Sequence, residues 1–142
     1  EGLRSKIKAL LLDLDGTTIE DHENEIYRTV VCMEDYLWKK GKSIFVSGTT
    51  ATHRNMIIGG NDVIAQTHFV IDKLESAITS LGGKLENIVR TRVFVNNINE
   101  WETVAKVHGQ RFKNINPANT LVESKLVGEG YKVEIEAEAI LD

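Results

Sequence analysis

The chain closes on Asn116-Pro117-Ala118-Asn119-Thr120-Leu121-Val122-Glu123, a turn at Gly128-Glu129-Gly130, and Tyr131-Lys132-Val133-Glu134-Ile135-Glu136-Ala137-Glu138-Ala139-Ile140-Leu141. In the last segment Val133, Ile135, Ala137, Ala139 and Leu141 share one parity, and Glu134, Glu136 and Glu138 the other. Strict alternation is the period of a half-buried strand, with one face on a core and one facing water or a partner. Three carboxylates spaced by two residues repel one another along that second face, so the strand is weakened unless something offsets them. Two readings follow. The glutamates form a solvated strand face, or one of them points into a cleft and handles a water or a proton.

Outward from this stretch, Pro117 opens the closing pair of strands, read as including a hairpin. Upstream, Asn99 is the expected cap of a helix in which Trp101, Val104, His108 and Phe112 share a face. Val89 to Val95 reads as a strand with Val89, Thr91, Val93 and Val95 on one side. Asn61 or Asp62 caps a longer helix of about five turns, in which Ile64, Thr67, Ile71, Leu74, Ile78 and Leu81 recur at three- and four-residue steps before Gly82-Gly83 stops it. Ser43-Ile44-Phe45-Val46-Ser47-Gly48 is a short strand after a turn at Gly41. Ile26 to Trp38 fits both a helix and a strand, its first half leaning to strand. Ile7 to Leu14 reads as a buried strand ending in a turn.

This order predicts an α+β sandwich, with one mixed sheet covered on one face by two helices. The other face then needs a partner. At 142 residues, the chain is about one domain long. Its composition, 42% hydrophobic and 27% charged, is that of an ordinary globular protein. A net charge of −4 argues against nucleic-acid binding driven by bulk charge. Cys32 is the sole cysteine, so the chain has no internal disulfide and no cysteine-rich metal site. No apolar run reaches membrane-spanning length, and Glu1-Gly2-Leu3-Arg4 has neither an apolar leader nor an initiator Met. The expectation is a cytoplasmic protein whose sequence starts inside its reading frame, with no cofactor and no metal.

From Ser43 to the end, the chain resembles the reactive intermediate deaminase family, also called Rid, YjgF or L-PSP endoribonuclease-like. The matching segments are Phe45-Val46-Ser47-Gly48-Thr49-Thr50, Ala65-Gln66-Thr67, Val89-Arg90-Thr91-Arg92-Val93-Phe94-Val95, Pro117-Ala118 through Val122-Glu123, and Lys132-Val133-Glu134-Ile135-Glu136-Ala137. The resemblance implies a chorismate-mutase-like fold and a homotrimer whose sheets line a central barrel, with small-molecule clefts between subunits. It divides the chain into an atypical N-terminal segment, 1–42, and a Rid-like domain, 43–142. It also implies hydrolysis of imine and enamine intermediates to oxo compounds and ammonia.

Residue by residue, Glu134 matches the family's water-positioning glutamate, and Ser47, beside Gly48, matches the serine at the strand end. The arginine that grips a substrate carboxylate in the deaminating members is Asn119 here, the cysteine two residues on is Leu121, and an asparagine of the second helix is Ala105. A bidentate guanidinium suits a carboxylate and a neutral amide does not replace its charge, so simple 2-imino acids are not the expected substrate. Arg92 is either a solvated strand residue or a second cation reaching the cleft. His53 is either a plain loop histidine or an acid or base near neutral pH. If Glu25 to Val31 is the first strand, Tyr27 edges the cleft.

Leu10-Leu11-Leu12-Asp13-Leu14-Asp15-Gly16-Thr17-Thr18 resembles the first motif of the haloacid dehalogenase phosphatases. There Asp13 would attack phosphorus, Asp15 would protonate the leaving group and Mg²⁺ would offset the charge. That fold needs further catalytic residues on a parallel sheet, and the Rid-like segment occupies the length they require. Both aspartates equally suit a turn. The leading expectation is therefore a trimeric imine or enamine hydrolase. The alternatives are a ligand-binding trimer without catalysis, and RNA cleavage, which the acidic balance disfavours.

Overall fold

The structure, a computed structural model, describes residues 37–142. Its five-stranded sheet contains β1 (Leu37–Lys40), β2 (Ser43–Thr50), β5 (Ile88–Val95), β6 (Ala118–Glu123) and β7 (Val133–Ile140) in the order β1-β2-β7-β5-β6. β3 (Thr52–His53) and β4 (Met56–Ile57) form a separate small hairpin. Two helices, α1 (Val63–Ser80) and α2 (Trp101–Arg111), complete the described residues. The α+β sandwich read from the sequence is present, with both helices on one face of a mixed sheet. No helix among the described residues is long and apolar enough to cross a membrane.

α1 begins where the Asp62 side chain accepts from the backbone N–H groups of Ile64 and Ala65, and such a cap contributes about 1 kcal/mol. Thr67, Ile71, Leu74 and Ile78 are fully buried, as their spacing predicts, whereas Ile64 is 47% exposed and Val63, Gln66 and Val70 take the core places near it. Gln66 is fully buried because it is fully bonded. Its amide donates to the carbonyls of Gly60 (2.6 Å) and Gly130 (2.8 Å), and its Oε1 accepts from Lys132 N (2.9 Å). The helix is thereby tied to the loop that feeds β7. α2 starts later than expected. Asn97, not Asn99, accepts from Asn99 N and caps a 3₁₀ turn at Ile98–Glu100, and the α-helix follows at Trp101. Val104, His108 and Phe112 are buried as expected, but Trp101 is exposed.

Two expectations about the strands need correcting. β6 and β7 are not a hairpin, because β5 lies between them, parallel to β6 and antiparallel to β7. The cause is α2: a parallel pair requires a long crossover, and the helix between β5 and β6 provides it. The loop of residues 124–132 then carries the chain across the end of β5, secured by Ser124 N to Val95 O (2.9 Å) and Asn96 N to Lys132 O (3.1 Å). The hairpin of the large sheet is β1–β2, turning at Gly41 with φ +58°. Val89 does not share a side with Thr91, Val93 and Val95. The register shifts between Ile88 and Arg90, so Ile88 is buried and Val89 exposed.

The parity of the closing strand holds. Val133, Ile135, Ala137 and Ala139 are buried under the helices, and Glu134, Glu136 and Glu138 lie on the open face. Burying Val133 and Ile135 fully is worth about 1.5–3 kcal/mol each. Trp38 and Phe45, their rings in tilted contact with centroids 5.7 Å apart, and Ile140 extend the open face, each more than 40% exposed. The proposed strand at Glu25–Val31, Tyr27, Asp13 and Asp15 lie outside the described residues.

Candidate functional site

The offset the glutamates require comes from β5. In the antiparallel register Arg92 faces Glu136 and Arg90 faces Glu138. Arg92 Nη1 bonds both Glu136 (3.0 Å) and Glu138 (3.1 Å), and Arg90 Nε stands 3.8 Å from Glu138. These bonds hold the Arg92 guanidinium more firmly protonated than usual. Arg92 is thus committed to two carboxylates on its own sheet.

Glu134 is treated differently. Its register partner on β5 is Phe94, and among the described residues no cation pairs with it. Partial burial pushes its carboxyl above the ordinary range, and the charge of Glu136 pushes the same way. The Glu134 carboxyl therefore holds a proton more readily than an ordinary glutamate, as suits a group that exchanges one with a ligand.

A bulge brings β2 to it. Val46 pairs with Ala137 but Thr49 pairs with Ile135, so one extra residue is accommodated at Ser47-Gly48. This places Gly48 against the carboxyl: a Cβ on Gly48 would fall on Glu134 Oε1. The segment is well secured. Thr49 Oγ1 donates to Ser47 O (2.9 Å), and Lys73 from α1 donates to the carbonyls of Thr50 (3.0 Å) and Thr52 (2.9 Å). Ser47, Gly48 and Glu134 therefore gather at one place on the open face.

Asn119 does not join them within one chain. It lies on the edge strand β6, in register with Thr91, and its amide reaches toward the helix side of the sheet. Nδ2 donates to Thr91 Oγ1 (2.9 Å), which is itself 2.8 Å from His108 Nε2 on α2. His108 packs on Phe112, with ring centroids 4.5 Å apart, and burial lowers its pKa, favouring the neutral imidazole. Leu121, in register with Val93, packs against the core. His53 lies in the small hairpin, its ring in a T-shaped pair with Phe69, centroids 6.2 Å apart. Sequence reading placed Thr91 and His108 on core faces and missed their link to Asn119. The available signal was a polar residue on each of two otherwise apolar faces. Among the described residues no three His, Cys, Asp or Glu side chains converge to hold a metal ion.

Comparison with known proteins follows the same residues. The Endoribonuclease L-PSP family model matches residues 34–141. The chain belongs to this family, the YjgF/Rid family. A crystal structure of Rv2704 from Mycobacterium tuberculosis, described as a member of the YjgF/YER057c/UK114 family, superposes on this Rid chain with a TM-score of 0.67 and 36% identity, covering 75% of this chain and 85% of that one. Protein DfrA of Myxococcus xanthus is 30% identical over 101 residues, 70% of this chain and 77% of its own. A 2-iminobutanoate/2-iminopropanoate deaminase of Escherichia coli is 34% identical over 82 residues, 56% of this chain and 64% of the relative. The sandwich described above is thus the family's chorismate-mutase-like fold. The family match also takes in β1, which the sequence reading had assigned to the atypical segment.

Proposed function

We propose that this Rid protein hydrolyses imine or enamine compounds, with Glu134 handling the water, in a cleft assembled between copies of the chain. The observation that carries the reading is Glu134 itself: a carboxyl of raised pKa, paired with no cation among the described residues, beside a bulge whose glycine leaves it room. In the reaction, a water oxygen bonds to the imine carbon as Glu134 accepts a proton from it. Glu134 returns that proton to the imine nitrogen, giving a carbinolamine, and then relays the hydroxyl proton to the amine nitrogen as the carbon–nitrogen bond breaks, giving an oxo compound and ammonia. A carboxyl whose pKa is raised by burial both accepts and returns a proton readily, as these transfers require. The raised pKa of Glu134 and the similarity to an imine deaminase support this reading.

A single chain separates Glu134 from Asn119, on opposite sides of the sheet. A second copy set against the open face, in the homotrimer the family resemblance implies, brings an edge strand to Glu134 and covers Trp38, Phe45 and Ile140. Ser47 and Gly48 then line the ligand from one subunit and Asn119 from another. Asn119 also favours a second reading, a ligand-binding trimer without turnover. RNA cleavage finds less support, since the open face sets three carboxylates against two arginines.

The test generates imines in situ with an amino-acid oxidase or a flavin amine oxidase and follows oxo-product release. Release faster than the spontaneous rate, lost in Glu134→Gln with sedimentation unchanged, is the expected result. Equal turnover by Glu134→Gln removes Glu134 from the mechanism. Ligand binding without acceleration of any imine favours the second reading.

A further inference from the structure

The bonding of Asn119 settles which way its amide faces. Its inward atom lies 2.9 Å from Thr91 Oγ1 and 3.4 Å from the Thr91 backbone carbonyl. A carbonyl oxygen can only accept, so the inward group is the NH₂; the flipped amide would set two acceptors against each other. Thr91 Oγ1 then spends one lone pair on Asn119. The hydroxyl proton goes to His108 Nε2, or that nitrogen donates to Oγ1, and neither tautomer alters the role of Asn119. Thr91 is fully buried and His108 nearly so, so the chain of bonds is anchored in the core. The outward atom is therefore Oδ1, on an exposed edge residue, with no protein partner among the described residues.

We propose that His108 and Thr91 lock Asn119 as a hydrogen-bond acceptor toward the ligand, so that the group recognised there is an N–H donor such as a primary carboxamide, and not a carboxylate. The inference rests on the proposed ligand site and specifies its substrate class: imines whose neighbouring group is neutral and donating. A carboxylate at this point would meet an oxygen lone pair with no counter-charge, whereas a carboxamide of the same shape completes a bond. Thr91 is a positioning residue, acting through Asn119.

The test is calorimetric titration with a matched pair, 2-oxobutanamide and 2-oxobutanoate. The wild type is expected to bind the carboxamide about tenfold more tightly, the weight of one directed hydrogen bond with its mismatch. Asn119→Arg should reverse the order. Thr91→Val, which keeps the shape and removes the acceptor, should bring the two ligands to within about threefold, while Thr91→Ser keeps the preference. Equal or tighter binding of the carboxylate by the wild type overturns the inference, and does so alone where Glu134-dependent turnover persists. Absence of heat from both ligands also overturns it, and the reading of the site falls with it if that turnover is absent as well.

Discussion

Gly48→Ala separates the reacting group from the fold. The added Cβ would land on Glu134 Oε1, with Cδ at 2.9 Å and Cγ at 3.3 Å. Ordinary carbon contacts need about 3.5–4.0 Å, so the carboxyl must move by about 1 Å. The obstacle is the far end of a flexible side chain, not backbone. Gly48 also lies outside the left-handed region, so alanine brings no φ strain. The loss of unfolded-state entropy favours the variant by about 0.4–1 kcal/mol, which offsets the cost of a new Glu134 rotamer. Displacing a catalytic group by about 1 Å costs on the order of 100-fold in rate. The expected result is an imine hydrolysis rate down about 100-fold, with a melting temperature within a few degrees of wild type. Wild-type turnover in Gly48→Ala, with the fold intact, refutes the placement of Glu134 at the reacting water.

Two further predictions concern charge. Arg92→Met leaves Glu136 and Glu138 without their shared cation, so the melting temperature should fall, more at low salt than at high salt where their repulsion is screened; a salt-independent loss would point to packing instead. His108 has a lowered pKa in the folded chain, so the unfolded chain takes up its proton first as pH falls below about 6.5. Its stability contribution is complete above that pH and is lost toward the lower folded value. Urea unfolding from pH 8 to 5 should show this decline, and His108→Gln should flatten it.

Strand parity carried much of the fold. The alternation from Val133 to Leu141 gave the buried and open faces of β7 correctly, because one face lies on the helices and a one-residue slip would bury the glutamates. A cap at Asn61 or Asp62, which proves to be Asp62, and the spacing of Ile71, Leu74 and Ile78 located α1 for the same physical reason, an apolar stripe closed by a capping side chain. Sheet order was less legible. Nothing local in Pro117 to Glu123 says that β5 separates β6 from β7, since strand neighbours are chosen by the α2 crossover and not by the strands' own residues. The bulges at Val89 and Ser47-Gly48 were equally hidden, because an extra residue leaves periodicity intact on either side. In the candidate site, Glu134 stood out as a carboxylate, but that no cation among the described residues pairs with it appeared only once Arg90 and Arg92 were seen facing its neighbours. The inward turn of Asn119 depends on Thr91 and His108, far apart in sequence.

The central claim is a site shared between copies of the chain, and subunit mixing tests it most directly. Glu134→Gln and Asn119→Trp would each be purified alone and each is expected to lack turnover. Co-expressed in equal amounts, they form mixed assemblies in which about a quarter of the interfaces join an intact Glu134 from one chain to an intact Asn119 from another. Recovery of about a quarter of wild-type imine hydrolysis is the predicted result. Mixed assemblies as inactive as their components, with exchange confirmed by mass spectrometry, would contradict it.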